Sequence, residues 1–389
     1  MEPIGNVFSE HMRIRPSKHF APKTNWINDP NGLIFHDGYY HLFFQYNPFG
    51  IKWGHMSWGH ARSTDLINWE ELPVAIPEND DHMIFSGSAI FDGEKLAAFY
   101  TAHKKGNQSQ YVTFSTNSGI TWSGAKKVLD LQMEDFRDPK VFRYVDRWIM
   151  LVAKSKELKL SFFESIDLFN WEFLSDYSMT GVNILYECPD IFKIEDKWVL
   201  ILNTNPGGPV GGSGTHYVIG DFDGKRFIES DQPDYLDYGP DFYAAVTFND
   251  APERIAIAWM NNWDYAQEIP REGWNGSMTT ARKLTLQDGK LKQEFIGQVE
   301  SFNVPTNNNF QFEYLNGAIK FIRSGEKLLV DRSELWPWGI SKFEVPARGD
   351  FQVDALFDSG CLELDLGGVF VTCLLEVGPE RPKFSAWPA

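Results

Sequence analysis

Asn25-Trp26-Ile27-Asn28-Asp29-Pro30-Asn31-Gly32 sets an acidic residue in a Pro- and Gly-bounded turn, directly ahead of an alternating run from Leu33 to Tyr46. Such turn chemistry fixes a side chain at the mouth of a strand. Two later stretches have the same form: Arg137-Asp138-Pro139-Lys140-Val141 and Glu187-Cys188-Pro189-Asp190-Ile191 each place a carboxylate before a Pro and then open a strand. From Asp29 to Asp138 is 109 residues and from Asp138 to Glu187 is 49. A chain that repeats about every 50 residues would put the three carboxylates at equivalent places in different repeats.

That repeat is visible elsewhere. Ser63-Thr64-Asp65-Leu66-Ile67-Asn68-Trp69-Glu70 nearly duplicates Ser165-Ile166-Asp167-Leu168-Phe169-Asn170-Trp171-Glu172, with further versions at Ser115 to Trp122 and Gly220 to Phe227. The aromatic anchors at 69, 122, 171 and 227 are 53, 49 and 56 residues apart. Short β-branched and aromatic runs bounded by Gly, Asp and Asn read as strands throughout, and no long segment keeps a 3.6-residue period. A period near 50 with about four strands per unit marks a β-propeller. Strand-opening turns at Asp29-Pro30, Ser86-Gly87-Ser88, Arg137-Asp138-Pro139, Glu187-Cys188-Pro189 and Asp241-Phe242-Tyr243 make five units. The fold class is therefore all-β: a five-bladed propeller over residues 1–288, then a smaller β-sandwich module over 298–389. Gly289 to Gly297 reads as the joint. About ninety residues is short for two sheets, so the second module is expected to be shortened or to lean on the propeller.

The formal net charge of −17 disfavours nucleic acid or an anionic membrane surface as partner, and fits a small neutral substrate. No run of 18 apolar residues occurs, and Met1 to Arg15 lacks an apolar leader core. A cytoplasmic location is expected, or a secreted one if a leader was removed. Cys188, Cys361 and Cys373 form no disulfide framework and read as buried thiols.

In a propeller the innermost strands converge at one mouth of the central channel. Asp29, Asp138 and Glu187 would then share a pocket, and crowding would leave at least one protonated. A carboxylate nucleophile, a carboxylic acid for the leaving group and several hydrogen-bonding neighbours are what glycoside cleavage needs. Arg137 would orient a substrate hydroxyl, Asn28, Gln45 and Ser86 would supply neutral hydrogen bonds, and Trp26, Trp53 and Phe85 apolar walls. Asp65, Asp167 and Glu172 recur inside the hairpin-like Ser-x-Asp-Leu stretch and read as turn residues. His41, His55 and His60 have no zinc spacing and read as packed strand histidines, so no metal is expected. No nucleophile elbow is present.

Together Trp26 to Gly32, Phe44-Gln45-Tyr46-Asn47-Pro48, Trp53 to His60, Phe85-Ser86-Gly87-Ser88, Phe136-Arg137-Asp138-Pro139, Glu187-Cys188-Pro189-Asp190 and Gly273 to Met278 resemble glycoside hydrolase family 32, the invertases, inulinases, levanases and related fructosyltransferases. The resemblance runs from about residue 18 to 300. It implies a retaining β-fructofuranosidase, with Asp29 as nucleophile, Glu187 as general acid and base, and Asp138 as transition-state stabiliser supported by Arg137. It implies a fructose subsite lined by Asn28, Gln45, Trp53, Phe85 and Ser86, with Asp241 and Trp263 reaching the same pocket. No cofactor is implied. The expected partner is sucrose or a fructo-oligosaccharide, with a homodimer as a possible assembly through the second module. A fructosyltransferase or a fructan hydrolase is the same-family alternative, and a non-catalytic carbohydrate-binding propeller the alternative of a different class.

Overall fold

The computed structural model describes residues 15–269 and 271–389. The leader reading at Met1 to Arg15 thus falls almost wholly outside the described residues. Strands dominate, with one 3-10 turn at Ser155–Glu157 among the described elements.

Five antiparallel sheets follow one another along the chain, each beginning with an innermost strand: Asn25–His36, Met83–Phe91, Phe136–Tyr144, Tyr186–Ile194 and Tyr243–Thr247. Each innermost strand touches the next, and the fifth returns to the first, so the sheets close into a ring of five blades. The interiors between blades are separate apolar clusters. Ile84 and Ala98 of blade II meet Phe43 and Trp58 of blade I. Val112 meets Met150 between blades II and III, Leu151 meets Leu200 between III and IV, Ile201 meets Ala258 between IV and V, and Ile257 meets Leu42 between V and I. Second strands such as Arg147–Lys154 are covered on both faces and so read Trp-Ile-Met-Leu-Val-Ala without alternation. Outermost strands such as Glu172–Tyr177 have no buried residue and mix polar with apolar side chains.

The ring is closed by backbone. Trp274–Asn275 pairs in parallel with Asn25 and Trp26. Asn249 N–H donates to Leu33 O (2.9 Å), and Phe35 N–H donates to Asn249 O (2.9 Å).

The repeated Ser-x-Asp-Leu stretch is a turn between third and fourth strands, as read. Ser63 Oγ accepts from Leu66 N (2.8 Å), and Asp65 Oδ1 accepts from Ile67 N (2.9 Å) and Asn68 N (2.7 Å). Ser165, Asp167, Leu168, Phe169 and Asn170 repeat the arrangement in blade III. Leu66 and Leu168 sit at φ 66° and 69°, a left-handed backbone that these side-chain caps hold in place.

The stretch read as a joint is partly strand. Lys290–Phe295 pairs with Arg282–Gln287 as the outer strand of blade V. The boundary at 288 therefore falls inside a hairpin, because Asp288-Gly289 is its turn rather than the start of a linker.

Beyond it, Glu300–Val304, Phe351–Asp358, Cys361–Leu366 and Phe370–Leu374 form one sheet. Lys342–Pro346, Lys327–Asp331, Gly317–Ser324, Asn308–Tyr314 and Lys383–Pro388 form another. Both inner faces feed one core, including Phe310, Phe321, Val330, Val353, Leu364 and Val371. The module has both sheets of a sandwich, one of four strands and one of five. It does lean on the propeller through buried ion pairs. Arg282 of blade V contacts Glu363 (2.6 Å) and Asp237 (2.9 Å). His19, ahead of blade I, lies between Asp358 (3.1 Å) and Glu363 (3.0 Å).

Candidate active site

All five innermost strands lose register at the same end. Between Ile27 and Pro30, Phe85 and Gly87, Arg137 and Lys140, Glu187 and Asp190, and Tyr243 and Val246, the inner strand carries one residue more than its partner. A β-bulge re-aims side chains. Here Asp138, Cys188 and Ala244 adopt φ 63°, 42° and 55° inside theirs.

The register also corrects an expectation. Asp138 and Glu187 are not at equivalent places: Glu187 stands where blade III has Arg137 and blade V has Tyr243, while Asp138 stands where blade IV has Cys188. Blade I carries a second shift between Asn31 and Ile34 and follows its own pattern. The carboxylates meet because the strands converge, not because the repeats place them in phase.

The bulges surround a cavity of about 170 Å³ lined by Asn28, Asp29, Gln45, Trp53, Phe85, Ser86, Arg137, Asp138, Glu187 and Trp263, together with Asn205 and Tyr243. Ten of the eleven residues that the resemblance assigns to the site are there, while Trp26, read as an apolar wall, is fully buried and does not line the cavity. The opposite mouth holds a larger cavity, about 550 Å³, bordered by Phe142, Arg143, Lys193, Trp198 and Arg254, and none of the three carboxylates lines it.

Asp241 is the exception. It is fully buried, and both its oxygens are taken on the far side of blade V: Oδ1 accepts from Tyr265, and Oδ2 from Arg332 Nη1 (2.6 Å) and Leu374 N–H (2.8 Å). It anchors the sandwich. Tyr243, two residues on in the same opening turn, takes the place in the pocket; the repeat pointed to the right turn and the side chain singled out there was two positions early.

Within the pocket each carboxylate has its own partners. Asp29 Oδ2 accepts from Ser86 Oγ (2.9 Å) and Cys188 Sγ (3.4 Å), while Oδ1 has no hydrogen-bond partner among the described residues. Asp138 Oδ2 accepts from Cys188 N–H (2.8 Å), and the Asp138 N–H is held by Thr101 Oγ1 (2.9 Å). Glu187 Oε1 accepts from Arg137 Nη1 (2.9 Å) and Oε2 from the Tyr243 hydroxyl. Asn203 Nδ2 donates to Cys188 O (2.8 Å) and steadies that strand. Cys188 thus bridges the group: it follows Glu187 in sequence, its thiol touches Asp29 and its amide touches Asp138.

The neutral groups are oriented too. Trp26 Nε1 donates to Asn28 Oδ1 (2.8 Å), and Gln45 Nε2 donates to Ile84 O (3.1 Å). Trp26, Trp259 and Trp263 pack beside one another (centroids 4.9–5.9 Å), and Trp53 meets Phe85 edge-on at 6.1 Å. Trp53, 38% exposed, stands at the rim.

Burial pushes all three carboxyls up. For Asp29 the neighbouring Asn28, Ser86 and Cys188 offset this only in part. Asp138 rises to about 7, where burial and Glu187 outweigh Arg137. Glu187 rises although Arg137 and Tyr243 favour its charged form. Three acids around one guanidinium in a small pocket share protons and titrate as a set. Burial and the same carboxylates push the Cys188 thiol well up, so it acts here as a hydrogen-bond donor. His41 and His60 are buried and bonded to each other (3.0 Å) beside Phe43, as packed strand histidines, whereas His55 departs from that reading: it lies in a loop, exposed and paired with Glu78 (2.6 Å).

The pocket pairs a carboxylate that has one oxygen without a hydrogen-bond partner with a second carboxyl whose pKa burial raises, set among hydrogen-bond donors, the equipment of a glycosidase. The N-terminal domain of glycosyl hydrolases family 32 matches residues 19–294, and the chain belongs to this family. It is 39% identical over 308 residues to a levanase from Bacillus subtilis (strain 168), an alignment spanning 70% of this chain and 45% of the levanase. It is 34% identical over 396 residues to the extracellular exo-inulinase inuE of Aspergillus niger, spanning 85% and 74%. The structure of fructofuranosidase from Schwanniomyces occidentalis complexed with fructose superposes with a TM-score of 0.86 at 30% identity, covering 98% of this chain and 96% of that one. The chain spans less than half the length of the levanase.

Proposed function

We propose that the protein is a retaining β-fructofuranosidase acting on sucrose and short fructo-oligosaccharides. The observation that carries this reading is Cys188, through which Asp29, Asp138 and Glu187 are gathered around one small pocket. Asp29 Oδ1 attacks the anomeric carbon of the fructosyl unit while Glu187 gives its proton to the departing glycosidic oxygen, leaving a fructosyl ester on Asp29. Glu187, now charged, takes a proton from water, whose oxygen attacks the same carbon and releases fructose and free Asp29. Asp138 hydrogen-bonds the sugar hydroxyls. Asn28 and Gln45 complete the fructose subsite, and the aromatic rim of Trp53 and Phe85 receives the remainder.

Relatives named levanase and exo-inulinase support a fructosyl donor and leave its length to the rim. The functional unit proposed is the propeller to Phe295, with the sandwich from Glu300 as its support. No helix among the described residues is long and apolar enough to cross a membrane. Three free buried thiols fit a reducing compartment, the cytoplasm in this reading.

The test uses Asp29→Asn and Glu187→Gln, with sucrose and an activated aryl fructoside. Asp29→Asn should lose both activities. Glu187→Gln should lose sucrose turnover and still release the aryl group in a first turnover, because that leaving group needs no acid. Full sucrose turnover by Asp29→Asn would overturn the assignment.

A further inference from the structure

Arg137 holds Glu187, and something must hold Arg137. The hairpin of blade II formed by Leu96–Lys104 and Asn107–Ser115 carries two cross-strand pairs, Thr101 with Gln110 and His103 with Gln108. Both face the opening turn of blade III. Thr101 accepts the Asp138 N–H and donates to Gln110 Oε1 (2.8 Å), and Gln110 Nε2 donates to Phe136 O (2.7 Å). The second pair reaches the neighbouring side chain: Arg137 Nε donates to Gln108 Oε1 (3.0 Å).

A guanidinium Nε is only a donor, so the Gln108 amide can face it in one orientation. Its NH2 group then points at His103 Nδ1 (2.9 Å), and that nitrogen must accept. His103 is therefore neutral, with its proton on Nε2. Its ring lies flat on Phe85, with centroids 4.3 Å apart and planes 2° from parallel. Gln108 is 2% exposed, so water does not replace these bonds. The remaining guanidinium nitrogens contact Glu187 and Asp135.

We propose that Gln108 and His103 are positioning residues for proton donation: a hydrogen-bond line runs from the imidazole under the rim aromatic Phe85, through Gln108 and Arg137, to Glu187, while Asp135 holds the third guanidinium nitrogen. The inference rests on the reading of Glu187 as the proton donor. A protonated imidazole would present a second donor to the Gln108 NH2. The amide would turn, its NH2 would then face Arg137 Nε–H, and the arginine would lose its anchor. The charged groups facing His103 are Arg137, Asp135 and Glu134; burial first and Arg137 second keep it uncharged.

The experiment compares Gln108→Leu, Gln108→Glu and His103→Phe with the wild type on sucrose and on p-nitrophenyl β-fructofuranoside, with melting temperatures alongside. Removing a buried hydrogen bond to a charged group should lower kcat on sucrose by about 10- to 100-fold in Gln108→Leu. The aryl fructoside, which needs no acid, should lose less than about threefold, or about 0.6 kcal/mol. His103→Phe preserves the stack on Phe85 and should show the same dependence on the leaving group. Gln108→Glu can accept from both Arg137 and an imidazolium, so it should retain sucrose turnover and raise the His103 pKa seen by imidazole NMR. If Gln108→Leu does not fold, the other two variants decide. Equal losses on both substrates, or unchanged sucrose turnover in Gln108→Leu and His103→Phe, would overturn the inference. A wild type inert on both sugars would overturn the fructosidase reading beneath it.

Discussion

Tyr243 is the residue most closely tied to the acid that the linear motifs did not bring forward. Its hydroxyl donates to Glu187 Oε2 and favours the charged carboxylate. In Tyr243→Phe the Glu187 carboxyl should therefore hold its proton to higher pH. A general acid works protonated, so the alkaline limb of the kcat/KM profile should move up while the rate at the optimum falls, by about tenfold for one lost hydrogen bond to a charged group. The acid limb, which follows ionisation of Asp29, should stay near its place. Burial raises both groups, so both limbs should sit higher than ordinary carboxyls would place them. An alkaline limb that moves down would contradict the role given to Tyr243. At this scale the reading of Asp241 failed for a plain reason. A charged residue in an opening turn looks the same on paper whether it faces the channel or the sandwich, and only Arg332 and Tyr265, 91 and 24 residues away, show which.

The elements that make the site are the bulged inner strands. Strand positions and the Ser-x-Asp-Leu turns were legible, because alternation and local caps are written in consecutive residues. The bulges were not. An extra residue shows only against a partner strand, and the partner's register depends on the whole sheet. On the spacing of acid and proline alone Glu187 looks like the counterpart of Asp138; by register it is the counterpart of Arg137. The bulge in blade II can be tested at Gly87, where a Cβ would lie 1.9 Å from the Phe99 carbonyl oxygen. Backbone cannot yield as a side-chain tip does, so Gly87→Ala should push Ser86 away from Asp29. We expect kcat/KM to fall by at least about tenfold and the melting temperature to drop by several degrees, about 1–3 kcal/mol of overpacking. Unchanged kinetics would mean that the strand accommodates the methyl group without moving the pocket.

At the scale of the whole molecule, the two modules are joined by charges with almost no access to water. Beside Asp358 and Glu363, His19 rises from an ordinary 6.5 to about 8: burial alone would lower it, and the two carboxylates override burial. A group whose folded pKa is raised stabilises the fold fully below its unfolded value and loses that contribution as pH climbs through the folded value. The wild type should accordingly lose about 2 kcal/mol of unfolding free energy between pH 6 and pH 9, and His19→Gln should show little of this slope. Chemical denaturation at the two pH values measures it, and parallel slopes would contradict the assignment.

The closure of the ring has a further meaning when the chain is considered in time. Strand Asn25–His36, synthesised ahead of the other four blades, finds its last partners only at Asn249 and Trp274–Asn275. Asp29, Asp138 and Glu187 are all synthesised before that moment, yet strands Asn25–His36 and Tyr186–Ile194, which aim Asp29 and Glu187, each lack a neighbour on one side. Contacts so distant in sequence form slowly. A nascent chain stalled after blade IV should thus carry every acid the reaction needs and catalyse nothing, and extension past Asn275 should switch activity on abruptly.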